Sequence, residues 1–379
     1  MDRHSTWFEL YFDLVFAAAL SQLGASLVRH PSAPVFARFA AMFIVVVWPW
    51  ALYTMYANRF DTDDLIFRLS KAAGMLAIAA LAVKLPHVMV GRGGAVGFAI
   101  GYVTLRVILI ALYGRARAHI RGDGRRLCSV LIAGYGCTTL LWLGSVFVPS
   151  PARYLLWCAA MLADFAIPVR AWATLKGPAV VVSHLTERYG TFFIIVLGEA
   201  VIASVTGLSR LTFTFESWAV AGGCLVAALA MWWIYFDLAD TSVVGRGLLG
   251  LIFVYGQFPL LAGVAAFGEG TKLAILEAGH HGLSAGARWA LGGGIGAFAL
   301  SLALFHLGAE ATSVRNRTFR GRIALGSVAL VLAAAGGRLP PLGFVVVIGW
   351  AVLGQLLLEA RTPRAGSPTP EPPGDPATS

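Results

Sequence analysis

Twelve apolar stretches, each long enough at roughly 20 residues to cross a ~30 Å hydrocarbon core as a helix, follow one another along almost the whole chain. They fall at about 7–28, 36–57, 66–86, 95–113, 127–148, 153–173, 189–206, 217–236, 247–268, 289–309, 321–337 and 342–360. In lipid every backbone N–H and C=O must find its partner within the segment, so runs of this length fold as helices. The fold class expected is therefore an all-α polytopic transmembrane bundle. The eleventh run is short and glycine-rich and the third and fourth lie close together, so the count ranges from ten to twelve, and twelve is the reading adopted. Composition agrees: of 379 residues 58% are hydrophobic and 13% charged, about half the charged fraction of a soluble domain.

The basic residues give the expected orientation. With the N-terminus in the cytoplasm, inside segments hold 19 Lys and Arg, among them Arg59, Arg68 and Lys71 around the loop after span two and the groups at Arg115–Arg126 and Arg315–Arg322, against 9 outside, with Arg106 within the fourth span. That asymmetry predicts both termini in the cytoplasm and an even number of spans. The net charge of +10 is met by anionic lipid headgroups, so membrane lipids are the expected partners and nucleic acid is not. The first run carries two acids and lacks a small-residue cleavage site, so it is expected to stay as the first span. Cys128, Cys137, Cys158 and Cys224 are single residues within spans and read as small apolar fillers. The proline-dense tail, 363–379, reads as disordered and cytoplasmic. The membrane domain, 1–362, divides naturally into six-span halves, 1–180 and 181–362, because the basic loops after spans four and ten occupy matching places.

The ionisable groups gather toward one leaflet. Glu9 and Asp13 open the first span, four residues apart and so on one helix face, where like charges repel unless a cation lies between them or one is protonated. Asp61, Asp63 and Asp64 lie between arginines in the loop after span two. Glu187 and Arg188 begin span seven and Glu199 sits deeper in it, beside Gly198. Asp237 and Asp240 end span eight, and Glu310 ends span ten. Glu9, Asp13, Glu199 and Asp237 are thus the candidate proton, cation or substrate site, with Asp13 a candidate partner for Glu199. Each also has a structural reading, as a helix-terminal acid or an interhelical hydrogen bond. Asp164 has Arg106 and Arg170 as candidate partners. Trp48, Trp50, Trp232 and Trp233 read as interface anchors. Glu277, His280 and His281 share an outside loop without metal-site spacing, and no metal site is assigned.

Three stretches, "TWFELYFDLVF", "RFDTDD" and "HLTERYGTFFIIVLGEAVIA", resemble in order the signatures of the bacterial low-temperature-requirement A membrane proteins, a likeness covering roughly residues 4–360. Tyr11 and Tyr189 stand where phenylalanine is usual. The resemblance implies a bacterial inner-membrane protein and marks His4, Trp7, Arg59, His184, Glu187 and Arg188 as supporting residues beside the acids. It implies no reaction.

Two functions compete. A secondary transporter would use membrane-embedded carboxylates as proton or cation carriers, with interruptions such as "VWPW" and "YGQFPL" freeing backbone groups to line a cavity. No nucleotide-binding pattern is present, which speaks against ATP-driven transport. A membrane-embedded enzyme on an isoprenoid or lipid would instead use Asp61, Asp63 and Asp64 as catalytic acids, since D-x-D-D is a form used in proton-initiated cyclisation. Mg²⁺ enters only if those acids bind a diphosphate. A noncatalytic role in membrane organisation is the third reading. No cofactor is otherwise evident, and the sequence leaves the small-molecule or lipid substrate and the oligomeric state open.

Overall fold

The computed structural model describes residues 6–60, 64–91, 93–174, 181–209, 214–238, 248–309 and 316–361. These form twelve helices long and apolar enough to span a membrane, and no strand occurs among the described residues. The first six are α1 (Trp7–Arg29), α2 (Ala33–Phe60), α3 (Leu65–Met89), α4 (Ala95–His119), α5 (Gly122–Gly144) and α6 (Ala152–Thr174). The second six begin with α7 (Val182–Leu208) and α8 (Phe215–Trp233, continued by a π turn, Ile234–Leu238). After α9 (Leu248–Leu276) comes α10, which is Ala285–Arg288, a π turn at Trp289–Gly293, and Gly294–Ala309. α11 (Arg317–Ala335) and α12 (Pro341–Ala360) complete the bundle. Short connections make successive helices antiparallel. The face at which α1 begins is called the near face below, and the opposite one the far face.

Polar residues set the helix starts. Thr6 and Glu9 form a capping box on α1, Glu9 N–H donating to Thr6 Oγ1 at 3.2 Å and Thr6 N–H to Glu9 Oε2 at 3.1 Å. Asp64, Thr214, Ser284 and Asn316 cap α3, α8, α10 and α11 through side-chain oxygens. Several helices run farther than the hydropathy runs imply, among them α2, which reaches Phe60, α7, which starts at Val182 rather than near 189, and α9, which ends at Leu276 rather than near 268. His184, Glu187 and Arg188 are therefore inside a helix, not at its mouth.

Neighbour packing repeats. In the first half α1 packs on α2 and α3, then α3 on α4, α4 on α5 and α5 on α6. In the second, α7 packs on α8 and α9, then α9 on α10, α10 on α11 and α11 on α12. The centre belongs to α9, which touches α1, α2, α6, α7, α8 and α10. Of its most apolar window 83% is buried, against 22% for α6. Each half also holds a buried ionic clasp. Arg106 of α4 meets Asp164 of α6 at 2.6 Å, with Thr138 of α5 donating to the same oxygen at 2.6 Å. This selects Arg106 rather than Arg170 as the partner of Asp164. In the second half Arg322 of α11 holds Glu359 of α12 at 2.7 and 2.8 Å and donates to Leu302 O of α10 at 2.9 Å.

α9 and α10 come into backbone contact through glycine. A Cβ on Gly263 would lie 2.4 Å from Gly294 O, and one on Gly294 would lie 2.5 Å from Gly263 O. Small residues at such crossings let dispersion and backbone contact hold membrane helices together. Gly263→Ala should therefore lower the thermal stability of the detergent-solubilised protein by about 1–3 kcal/mol, the usual cost of overpacking. Gly136→Ala, where a Cβ meets nothing within 4 Å, should be neutral or mildly stabilising. Equal Tm values for the two variants would refute this account of the crossing.

Candidate functional site

Near the near face, α1, α2, α3 and α7 bring the first signature acids together with partners. Asp13 and Arg188 are fully buried. Arg188 donates from Nη1 to Asp13 Oδ2 at 2.9 Å and from Nη2 to Oδ1 at 2.6 Å, a two-pronged pair, and Trp50 Nε1 donates to the same Oδ1 at 2.7 Å. The Trp50 ring stacks on Phe192 at 4.3 Å and meets the edge of Tyr189 at 5.1 Å, so the indole is fixed before it reaches the acid. One turn nearer the face, Glu9 Oε2 lies 3.4 Å from His184 Nε2. The other ring nitrogen, Nδ1, faces the Asn58 amide nitrogen at 3.1 Å. An amide nitrogen only donates, so Nδ1 accepts, and the imidazole proton of a neutral His184 sits on Nε2, facing Glu9. Asn58 also exchanges two 2.9 Å bonds with the backbone of Val181, fixing the entry of α7 against α2. Lys71 is buried, its Nζ 4.9 Å from the centre of the Phe12 ring, 5.3 Å from Phe67 and 5.6 Å from Phe8.

Counting ionised groups, Glu9 and Asp13 face Arg188 and Lys71, and the cluster balances. This resolves the repulsion expected of two carboxylates one turn apart: cations from α7 and α3 lie beside them. Four helices are joined by the arrangement, and Asp13 is engaged by Arg188 and Trp50, not by Glu199.

Glu199 belongs to a different place. It lies nine residues from the end of α7, roughly 14 Å from the far end of that helix. That puts it in the far half, not in the near half with the other acids. It lines a cavity of ≈ 10 Å³ together with Ala17 and Ser21 of α1, Phe39 of α2, Val196 of α7 and Glu269 of α9. Glu269 is 9% exposed, and it is a residue that the reading of the sequence passed over. Its signal was there in "FGEGTK", an acid between two glycines just past the end of the ninth apolar run, preceded by glycine as Glu199 is by Gly198. Asn58, Trp50 and Lys71 were also missed or misplaced, Trp50 as an interface anchor and Lys71 as a loop cation.

The remaining predicted residues are scattered. Asp64 is exposed, caps α3 by accepting from Phe67 N–H at 2.9 Å, and pairs with Arg115 at the end of α4. The Arg115 guanidinium, then the Phe67 amide, hold the Asp64 carboxyl below its ordinary range. Trp7 is exposed, and Arg59 and Glu187 are half-buried. His4, Asp61, Asp63, Asp240 and Glu310 lie outside the described residues, as do the side chain of Asp237 and the tail, 363–379. Among the described residues no three His, Cys, Asp or Glu side chains are grouped as a metal site would need.

Two expectations follow. Removing Asp13 alone leaves Arg188 buried without its counter-ion, so Asp13→Ala should cost about 3–5 kcal/mol in detergent unfolding, whereas Asp13→Leu combined with Arg188→Met should recover most of it. A double variant as unstable as the single one would show that the pair does not act as a neutral clasp. For Asp64 the sign follows from a carboxyl held below its unfolded value: its contribution is present above the ordinary carboxylate range and is lost as pH falls through the folded value. The Tm gap between wild type and Asp64→Ala should accordingly be open at neutral pH and close in acid. A gap that does not depend on pH would count against the Arg115 contact.

The chain matches the family described as Bacterial low temperature requirement A protein (LtrA) over residues 4–357. It is also 30% identical over 288 residues to Uncharacterized protein RA0937 of Rhizobium meliloti (strain 1021), covering 70% of this chain and 69% of that protein.

Proposed function

This chain belongs to the bacterial low temperature requirement A family, and we propose that it is a proton- or cation-linked secondary transporter of the bacterial inner membrane. One observation carries the reading: the near-side acids are neutralised by fixed partners, while half-buried Glu199 and buried Glu269 line one small cavity with no hydrogen bond or ion pair to either from any described residue. An ionisable group held inside a bundle without such a partner is costly in either leaflet, and in membrane proteins such groups mark ion pathways. In this reading Glu199 carries the ion. Glu9, Asp13, His184 and Arg188 hold α1 against α7 and keep the near end closed around it. The repeat in packing order supports two six-helix halves, 1–180 and 181–362, of the kind that move against each other in alternating access. The excess of Arg and Lys in the connections of the near face supports a cytoplasmic near face and cytoplasmic termini.

The enzyme alternative gains no specific support, since Asp64 is occupied as a cap and an ion-pair partner.

The test is electrical. Proteoliposomes adsorbed on a solid-supported membrane should give a charge displacement when the pH is stepped. Glu199→Gln, which keeps the shape of the protonated acid, should remain monodisperse and abolish that signal. An undiminished signal in Glu199→Gln would remove the carrier assignment.

A further inference from the structure

Glu199 and Glu269 approach from opposite helices, and glycines let them do so. A Cβ on Gly268 would lie 3.1 Å from Ala200 N and 3.3 Å from Glu199 C, so α9 rests on the backbone of α7 beside the first carboxylate. A Cβ on Gly24 would lie 1.9 Å from Glu269 Oε1. The second carboxylate therefore occupies the space above α1 that a missing side chain leaves. Glu269 is 9% exposed, and its side chain lines the cavity that Glu199 also lines. It has no hydrogen bond or ion pair with any described residue. The charged groups that reach this place from α1, α2, α7 and α9 are few. α1 offers the Ser21 hydroxyl and α2 the Phe39 ring. Beyond the two carboxylates, Lys272, one turn along α9 from Glu269, acts on both through space.

What such a site takes follows from its size and its donors. A cavity of ≈ 10 Å³ is at the lower limit for a single water and too small for a hydrated metal ion. A bare cation of the Ca²⁺ class needs six to eight oxygens. Here the side-chain oxygens are two carboxylates and one hydroxyl, and the rest of the lining is apolar. Helix carbonyls are already used in the backbone ladder. Two carboxylates sharing one water-poor place do not both stay ionised, and the lightest way to relieve them is a proton held between them.

We propose that Glu199 and Glu269 form a single proton-binding site that retains one proton between its two carboxylates and excludes metal cations. Resting on the transport reading, this makes the coupling ion H⁺ and Glu269 the second half of its carrier. No bond other than O–H is made or broken: the proton arrives from water on one carboxylate oxygen and leaves from either.

Infrared difference spectra of the detergent-solubilised protein, recorded across a pH titration, read protonated carboxyl groups directly and need no transport. Wild type should show a carboxyl band that titrates and that NaCl, KCl or CaCl₂ leaves in place. Glu199→Gln and Glu269→Gln should each abolish it, while Asp64→Asn should not. Should Glu269→Gln fail to fold, Glu269→Asp retracts the carboxylate by one methylene and should move the midpoint by about tenfold or more in proton affinity, one pH unit. A band that survives Glu269→Gln, a midpoint unmoved in Glu269→Asp, or displacement of the proton by any of the three salts overturns the proposal. A wild-type band that behaves as expected in a protein giving no charge displacement would uphold the site and remove the transport reading. Charge displacement that persists without Glu269 would do the reverse.

Discussion

An ionised side chain inside a bilayer is stable only beside its counter-charge, and that constraint organises this bundle. The near-side cluster links α1, α2, α3 and α7 through Asp13, Trp50, Lys71, His184 and Arg188. Arg106 and Asp164 link α4 to α6, and Arg322 and Glu359 link α11 to α12 while holding α10 by a carbonyl. Lipid tails give little hydrophobic drive for helices to associate, so small residues at crossings and satisfied polar contacts supply the specificity. Each clasp has a definite donor set, which fixes which helices are neighbours. Replacing such a pair with apolar groups of similar volume would cost little stability, so the pairs are better understood as setting register than as the main source of cohesion.

Much of this was legible along the chain and some of it was not. Hydropathy alone gives the helices and a count of ten to twelve, because a span is a local property of about 20 residues, and the structure has twelve. Most of the acids that matter were visible for the same reason, each standing out against apolar neighbours, although Glu269 was passed over. Partner choice was not legible. Arg188 and Glu199 lie on one helix, three turns apart, and nothing in the order of residues says that Asp13 faces the first and not the second. The start of α7 at Val182 decides it, since it draws Arg188 inward to the level of Asp13 and moves Glu199 past the middle. Trp50 was misread because an indole near a helix end is ordinarily an interface anchor, and only tertiary contact with Phe192 and Asp13 marks it as a hydrogen-bond donor in the core. Lys71 was counted as a loop cation because its place on α3, sheltered by three phenylalanine rings, depends on α1 lying across it.

The two polar centres use the same helices at different heights. Asp13 and Ser21 are both on α1, eight residues apart, or roughly 12 Å along the axis. Arg188 and Glu199 are both on α7, eleven residues apart, or roughly 16 Å. α1 and α7 are thus pinned together at one height by a bidentate ion pair, and at the other both line the cavity that Glu269 of α9 also lines. Irregular backbone is spread through the bundle: α2 carries Pro49 next to Trp50, and α8 ends in a π turn. α9 carries Pro259, which lacks the N–H that a regular helix would donate, and α10 contains the π turn Trp289–Gly293.

The "GEG" at 268–270 shows how closely one side chain can govern a helix. Gly268 lies against the α7 backbone, and a Cβ on Gly270 would come within 2.7 Å of Leu291 N, inside the π turn of α10. The glycines on both sides of Glu269 therefore serve separate crossings, one to α7 and one to α10. Gly24, on α1, gives its carboxylate room. An acid at this position in an otherwise apolar helix is costly in itself, and glycine adds backbone entropy to the cost of folding. Three glycines around one carboxylate are expensive if the acid merely fills space, since alanine or leucine would pack the same crossing without charge. Their joint presence makes sense when the position of the carboxylate, rather than the stability of α9, is what the sequence maintains.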